Sequence, residues 1–129
     1  MRTPLFLTLE EILAIHEDRL RKYGGSSGVR ELPLLESAIG NVEATFDGQF
    51  LHGTLSEMAA AYLYGICKNH PFVDGNKRTA LACCLAFLGL NNVTIACEPD
   101  DLYDLVIGVA EGRVSKAAVT VFLEQNAKR

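Results

Sequence analysis

Between two long apolar stretches lies HPFVDGNKRTA, His70 to Ala80, with an imidazole, a carboxylate, a side-chain amide, an ammonium and a guanidinium. Polar groups at that density are costly to bury, so a segment junction that holds them needs a reason. Pro71 disfavours the right-handed helical region for the residue before it, so the preceding helix should end at His70, with His70 extended. Gly75 permits a turn, and a new helix should run from Asn76 to Leu90. The backbone N–H groups near Gly75, Asn76 and Lys77 then have no partners within that helix and sit at the positive end of its dipole. Lys77 and Arg78 add two full positive charges at the same place, so a phosphate group is the natural guest.

Asp74 has two readings. It can cap the helix by accepting from those N–H groups, or it can hold Mg²⁺, which takes one or two carboxylates together with substrate phosphates. His70, four residues upstream, has the chemistry of a general base. A base, a metal carboxylate, an anion cradle and two cations are what phosphoryl or nucleotidyl transfer requires, because that chemistry depends on positioning and charge stabilisation. GNKRT does not fit the Gly-x4-Gly-Lys-Ser/Thr phosphate loop, and a zinc site at His70 and Asp74 lacks further nearby ligands.

The elements that must position these groups are helical. TLEEILAIHEDRLRKYGG opens on a capping box, Thr8 with Glu11, and closes at Gly24–Gly25. Leu9, Ile12, Leu13 and Leu20 form its apolar face, and His16, set among charges, is expected to face solvent. Ser26 to Leu32 is expected to be a mobile loop or short flap. A helix is expected over Leu34–Phe46 with Pro33 in its first turn, followed by a turn-rich connection, Asp47 to Gly53, in which His52 is incidental. Thr54 and Glu57 repeat the capping signature ahead of a buried central helix. Beyond Leu90, VTIA suggests a short strand or extended link. Pro99 and Ser115 start two last helices. The sum is one all-α domain, residues 1–129, a bundle of about six helices with at most one short extended flap.

With 49% apolar and 22% charged residues, the chain has the composition of a folded globular protein. Its net charge of −4 counts against a partner held by a broad basic face, so no direct nucleic-acid binding is expected. No run approaches a membrane span, and the N-terminus lacks a signal-peptide pattern. Cys67, Cys83, Cys84 and Cys97 form no CxxC pair and are expected to be free and buried, which suggests the cytoplasm.

The stretch resembles the signature of the Fic/Doc superfamily, His-Pro-Phe-x-Asp/Glu-Gly-Asn-Gly/Lys-Arg, at His70, Pro71, Phe72, Asp74, Gly75, Asn76, Lys77 and Arg78. LTLEEILAIHEDRLRKYGG and the all-α plan look like the death-on-curing (Doc-type) toxins, and the resemblance covers most of the chain. It implies that His70 deprotonates a hydroxyl of a target protein and that Phe72 anchors the loop. It further implies that Asp74 holds Mg²⁺, that Gly75 and Asn76 form an anion hole, and that Lys77 and Arg78 bind nucleotide phosphates. The Ser26–Leu32 segment sits where the family has a flap that aligns the target.

Two departures bear on the chemistry. AMP-transferring Fic proteins usually carry Gly at the position of Lys77 and a second Arg at that of Leu81, which grips the terminal phosphate. Doc-type members share the Lys, and the resemblance implies that ATP binds reversed and gives up its γ-phosphate. Kinase activity is therefore expected, with AMP transfer as the alternative and a non-catalytic module that binds a partner helix as another. The self-inhibitory Ser/Thr-x-x-x-Glu-Gly/Asn motif of many Fic proteins is absent, since Glu111–Gly112 has Ile107 four residues ahead of the Glu. The resemblance thus implies a toxin with a separate antitoxin bound as a helix in a groove, elongation factor Tu as candidate target, and possible homo-oligomers.

Overall fold

The computed structural model describes residues 3–128. Six helices follow in order: α1 (Leu9–Tyr23), α2 (Leu32–Glu43), α3 (Leu55–Asn69), α4 (Asn76–Leu90), α5 (Pro99–Ala110) and α6 (Lys116–Asn126). The bundle is all-α, as expected. α3 is its axis: α2, α4, α5 and α6 pack on it, while α1 lies on α4.

That arrangement follows from where side chains are small. Ala59, Ala60 and Ala61 are fully buried on α3, and a Cβ added at Gly65 would sit 3.2 Å from Ala38 Cβ on α2. Leu63 and Ile66 of α3 and Phe87 and Leu88 of α4 belong to the core with essentially no exposure. Each such side chain contributes roughly 1.5–3 kcal/mol by leaving water. Tyr62 is also buried, but its hydroxyl accepts a hydrogen bond from Leu7 N at 3.0 Å, and burial pushes its pKa up to about 12.

The caps are where the sequence places them. Thr8 and Glu11 form the reciprocal box of α1, while Thr54 accepts from Glu57 N and Ser115 from Ala118 N. α2, however, starts at Leu32 and ends at Glu43 rather than Phe46. Thr45–Phe46 (β1) instead pairs antiparallel with Gln49–Phe50 (β2) around Asp47–Gly48, both residues having positive φ. That Asp-Gly pair between short apolar runs is a hairpin signal that outweighs helix continuation. A second antiparallel pair joins Thr94–Ile95 (β3) to Ala127–Lys128 (β4) and ties the chain end to the link after α4. The extended elements thus exceed the single flap expected, yet none interrupts the helical core.

The cysteines are free; Cys67, Cys83 and Cys84 are buried and Cys97 is half-buried. Burial pushes the Cys84 thiol up to about 12, and raises Cys83 as well, so both act as small apolar side chains. Among the described residues no helix is long and apolar enough to cross a membrane.

Candidate active site

α3 and α4 are joined by a five-residue loop of Pro71–Gly75 preceded by His70, and each end of it has a distinct conformation. His70 caps α3 in the left-handed region, φ 53° and ψ 52°, with its N–H still donating to Ile66 O at 3.2 Å. It is not extended. Proline excludes the right-handed region for its predecessor but leaves open the left-handed C-cap with which helices often end. Gly75 caps α4 with φ +78° and without any side-chain cap. A Cβ there would lie 3.3 Å from Leu20 Cδ2, so both backbone conformation and space call for glycine.

The loop is folded around Phe72, which is fully buried. Asn76, itself buried, accepts from Phe72 N at 2.9 Å and donates to Phe72 O at 3.0 Å, closing the loop like a clasp. His16 lies on the other side. Contrary to the solvent-facing position expected, it is 2% exposed, stacks on Phe72 with ring centroids 3.8 Å apart, and its Nε2 donates to Asp74 O at 2.8 Å. The charged neighbours of His16 occupy the outer face of α1, whereas His16 shares the inner stripe with Ile12 and Leu20.

Asp74 does not cap α4, because Gly75 holds that position. Its Oδ2 accepts from Ser26 N at 3.2 Å and its Oδ1 from Gly75 N at 2.8 Å. The Ser26 N–H, then the Gly75 N–H, and beyond them the charge of Arg78 hold the carboxyl below its ordinary pKa. Gly25 makes the first contact possible, since a Cβ there would come within 2.7 Å of Asp74 Oδ2.

His70, Asp74, Gly75, Asn76, Lys77 and Arg78 all line one cavity of about 140 Å³, to which α5 adds Tyr103. The six residues singled out in the sequence are therefore brought together. Two of them present different atoms than their names suggest. The Asn76 amide is turned inward to Phe72, and the Gly75 N–H is taken by Asp74, so an anion would meet the first-turn N–H groups of α4 from Asn76 onward. Arg78 is held over the ring of Tyr23 at 4.5 Å, a cation–π contact that orients it at the rim. A larger cavity of about 340 Å³ lies at Leu5, Met58 and Leu90, with no titratable side chain in its lining. Chemistry, not size, singles out the smaller one.

The donor set fits a phosphate group: an uncapped helix N-terminus, Lys77 and Arg78 facing one cavity. It fits Mg²⁺ as well, provided that phosphate and water complete the shell. Asp74 is an ionised carboxylate on that cavity, and among the described residues no three His, Cys, Asp or Glu side chains form a cage. His52 lies elsewhere, bonded to Asn41 Oδ1 at 3.1 Å. Local periodicity missed four residues around the loop: His16, Tyr23, Arg30 and Tyr103. Only His16 carried a local signal, its spacing of four from both Ile12 and Leu20.

A profile of the Fic/DOC family matches residues 6–88, which span α1 through most of α4 and hence the whole loop. "Protein kinase doc" of Escherichia phage P1 is 37% identical over 110 residues, 85% of this chain and 86% of the phage protein. "Toxin Doc" of Mycolicibacterium smegmatis is 41% identical over 78 residues, 60% of each chain. The chain belongs to the Fic/Doc family.

Proposed function

We propose that the protein is the toxin of a toxin–antitoxin pair that transfers the γ-phosphate of ATP to a hydroxyl side chain of a cytosolic protein. One observation carries this: His70, Asp74, Lys77 and Arg78 share a single cavity at the uncapped N-terminus of α4. The names of the two relatives, one a protein kinase and one a toxin, support it. His70 takes the proton of the attacking hydroxyl, whose oxygen bonds to the γ-phosphorus as the bond to the β–γ bridging oxygen breaks and ADP leaves. The N–H groups of the first turn of α4, with Lys77 and Arg78, hold the phosphates and meet the charge that develops. Asp74 would hold Mg²⁺, which supplies charge neutralisation between phosphate oxygens. Elongation factor Tu, the target implied by the family resemblance, is the first substrate to test.

The antitoxin is proposed on the missing inhibitory motif. Glu111, the Glu of the Glu-Gly pair that lacks the rest of the motif, is paired with Arg113 at 2.9 Å. Labelled ATP tests the chemistry directly. Label from the γ-phosphate on the target supports a kinase; label from the α-phosphate would mean AMP transfer, and no label with toxicity retained would mean a binding module.

Lys77→Gly probes that choice. It keeps the helix start but removes a charge and a long side chain from the cavity, and γ-transfer should fall by about 10²-fold, the usual cost of misplacing a reacting group by roughly 1 Å. Adding Leu81→Arg should give little AMP transfer, since Leu81 is packed against the core and an Arg there must first escape it. Mass spectrometry of the modified target reads both results.

Asp74→Ala should remove Mg²⁺-dependent nucleotide binding and release Ser26. Calorimetric titration of Mg²⁺ with nucleotide present measures the first. Parent-like affinity would sink the ligand assignment, whatever happened to the rate.

A further inference from the structure

We infer that Arg30 is a positioning residue for His70, acting through the backbone at the end of α3. Arg30 lies forty positions upstream in the chain, on the flap between α1 and α2. Its guanidinium grips the His70 carbonyl with Nη2 at 2.7 Å and Nε at 3.0 Å, and Nη2 also lies 3.4 Å from Asn69 O. These are the last carbonyls of α3, which have no intrahelical donor, and a cation there also complements the dipole. The flap backbone is stitched to the same loop: Arg30 N and Glu31 N both donate to Pro71 O, at 2.7 and 3.0 Å, and Val73 N donates to Gly28 O at 3.1 Å.

The need for such a grip follows from the φ of +53° at His70. A non-glycine residue in the left-handed region persists only where its surroundings over-determine it. The ring of Pro71 fixes the next residue, so rotation about the His70 backbone is the remaining freedom, and that rotation would swing the imidazole relative to the cavity. Clamping the carbonyl removes it. Because Arg30 holds a carbonyl and not the ring, the imidazole stays free for proton transfer.

Arg30 is not itself an anion ligand. Nε and Nη2 are engaged by carbonyls, Nη1 is paired with Glu31 Oε1 at 3.2 Å, and the side chain does not line the cavity. Nor is it core packing, since 44% of the side chain is exposed. What remains is orientation.

This assignment rests on the proposed role of His70, so the test includes a readout that needs no reaction. Steady-state transfer from γ-labelled ATP is compared for the full-length parent, Arg30→Ala and Arg30→Lys, alongside thermal melts and the NMR signals of the His70 imidazole. In Arg30→Ala, kcat should fall by about 10²-fold with KM for ATP changed less than about twofold, the mark of lost alignment rather than lost binding. The His70 signals should shift or broaden, and Arg30→Lys, with a single ammonium for the fork, should recover part of the rate. Parent-like kcat and unchanged His70 signals in Arg30→Ala would overturn the assignment. So would a raised KM at unchanged kcat, which would make Arg30 a ligand. If the parent transfers nothing, the proposed chemistry has failed, and the imidazole signals alone decide the role of Arg30. Should Arg30→Ala lose its fold, Arg30→Gln, which keeps the stem over the loop without charge or fork, decides on the same readouts.

Discussion

His70→Ala is expected to reduce transfer by about 10³-fold or more while the melting temperature stays close to that of the parent. Loss of a general base alone costs about 10²–10⁴-fold, and no other imidazole lines the cavity to replace it. His16 packs against the same loop, but it is buried under it with Nε2 committed to Asp74 O. Stability should change by about 1 kcal/mol or less, because His70 is exposed and its conformation is held through its backbone. His70→Asn is the cleaner partner variant, since asparagine tolerates the left-handed region better than alanine does. Initial rates with labelled ATP and a thermal melt of each variant check both halves. A variant that melts like the parent and transfers at the full rate would remove His70 as the base and turn attention to the non-catalytic module.

The boundaries of the loop were legible because their signals are local. Pro71 and Gly75 mark where one helix stops and the next begins, and α4 spans Asn76–Leu90 as the sequence indicates. The same holds for the Thr8 and Thr54 caps, whose partners lie three residues apart. Asp74 shows the limit of local reasoning. A carboxylate one residue before a helix can cap it, but here Gly75 occupies the cap and Asp74 reaches a flap N–H forty-eight residues upstream. The grip of Arg30 on His70 and the pairing of β3 with β4 are likewise long-range, and no window of the sequence contains both partners. His16 failed for another reason. Its neighbours are charged, and neighbours in sequence point to other faces of a helix; residues four apart share a face.

The left-handed His70 and the inward Asn76 change how the loop is understood as a machine. Both ends of the loop are held from outside it, by Arg30 at the α3 end and by His16 at Asp74, while Asn76 locks the centre onto Phe72. Side chains that would carry out transfer therefore project from a backbone whose freedom has been removed at three points. Such a frame suits a reaction in which alignment supplies much of the rate.

Asn76→Asp should then be among the most damaging isosteric changes, and damaging to the fold before the chemistry. The Asn76 amide both accepts from Phe72 N and donates to Phe72 O. A carboxylate keeps the first bond, loses the second, and sets an anionic oxygen about 3 Å from a carbonyl oxygen in a site that is only 4% exposed. Burying an unmatched charge beside an unmatched acceptor should cost about 2–4 kcal/mol, enough to lower the melting temperature by roughly 10 °C in a chain of this size. The pH dependence carries the sign. In the folded variant the neutral carboxyl can donate to Phe72 O and the charged one cannot, so its folded pKa is raised above the unfolded value near 3.9. The penalty relative to the parent is therefore greatest at neutral pH and shrinks as pH falls through the raised folded pKa toward the unfolded one. Asn76→Ala, which lacks a titrating group, should show a penalty that does not recover in acid. Melts of the parent and both variants from pH 7 down to about pH 4 measure this. If Asn76 served chiefly as an anion-hole side chain, Asn76→Asp would melt like the parent and lose only phosphate affinity, and that outcome would return the amide from the loop to the ligand.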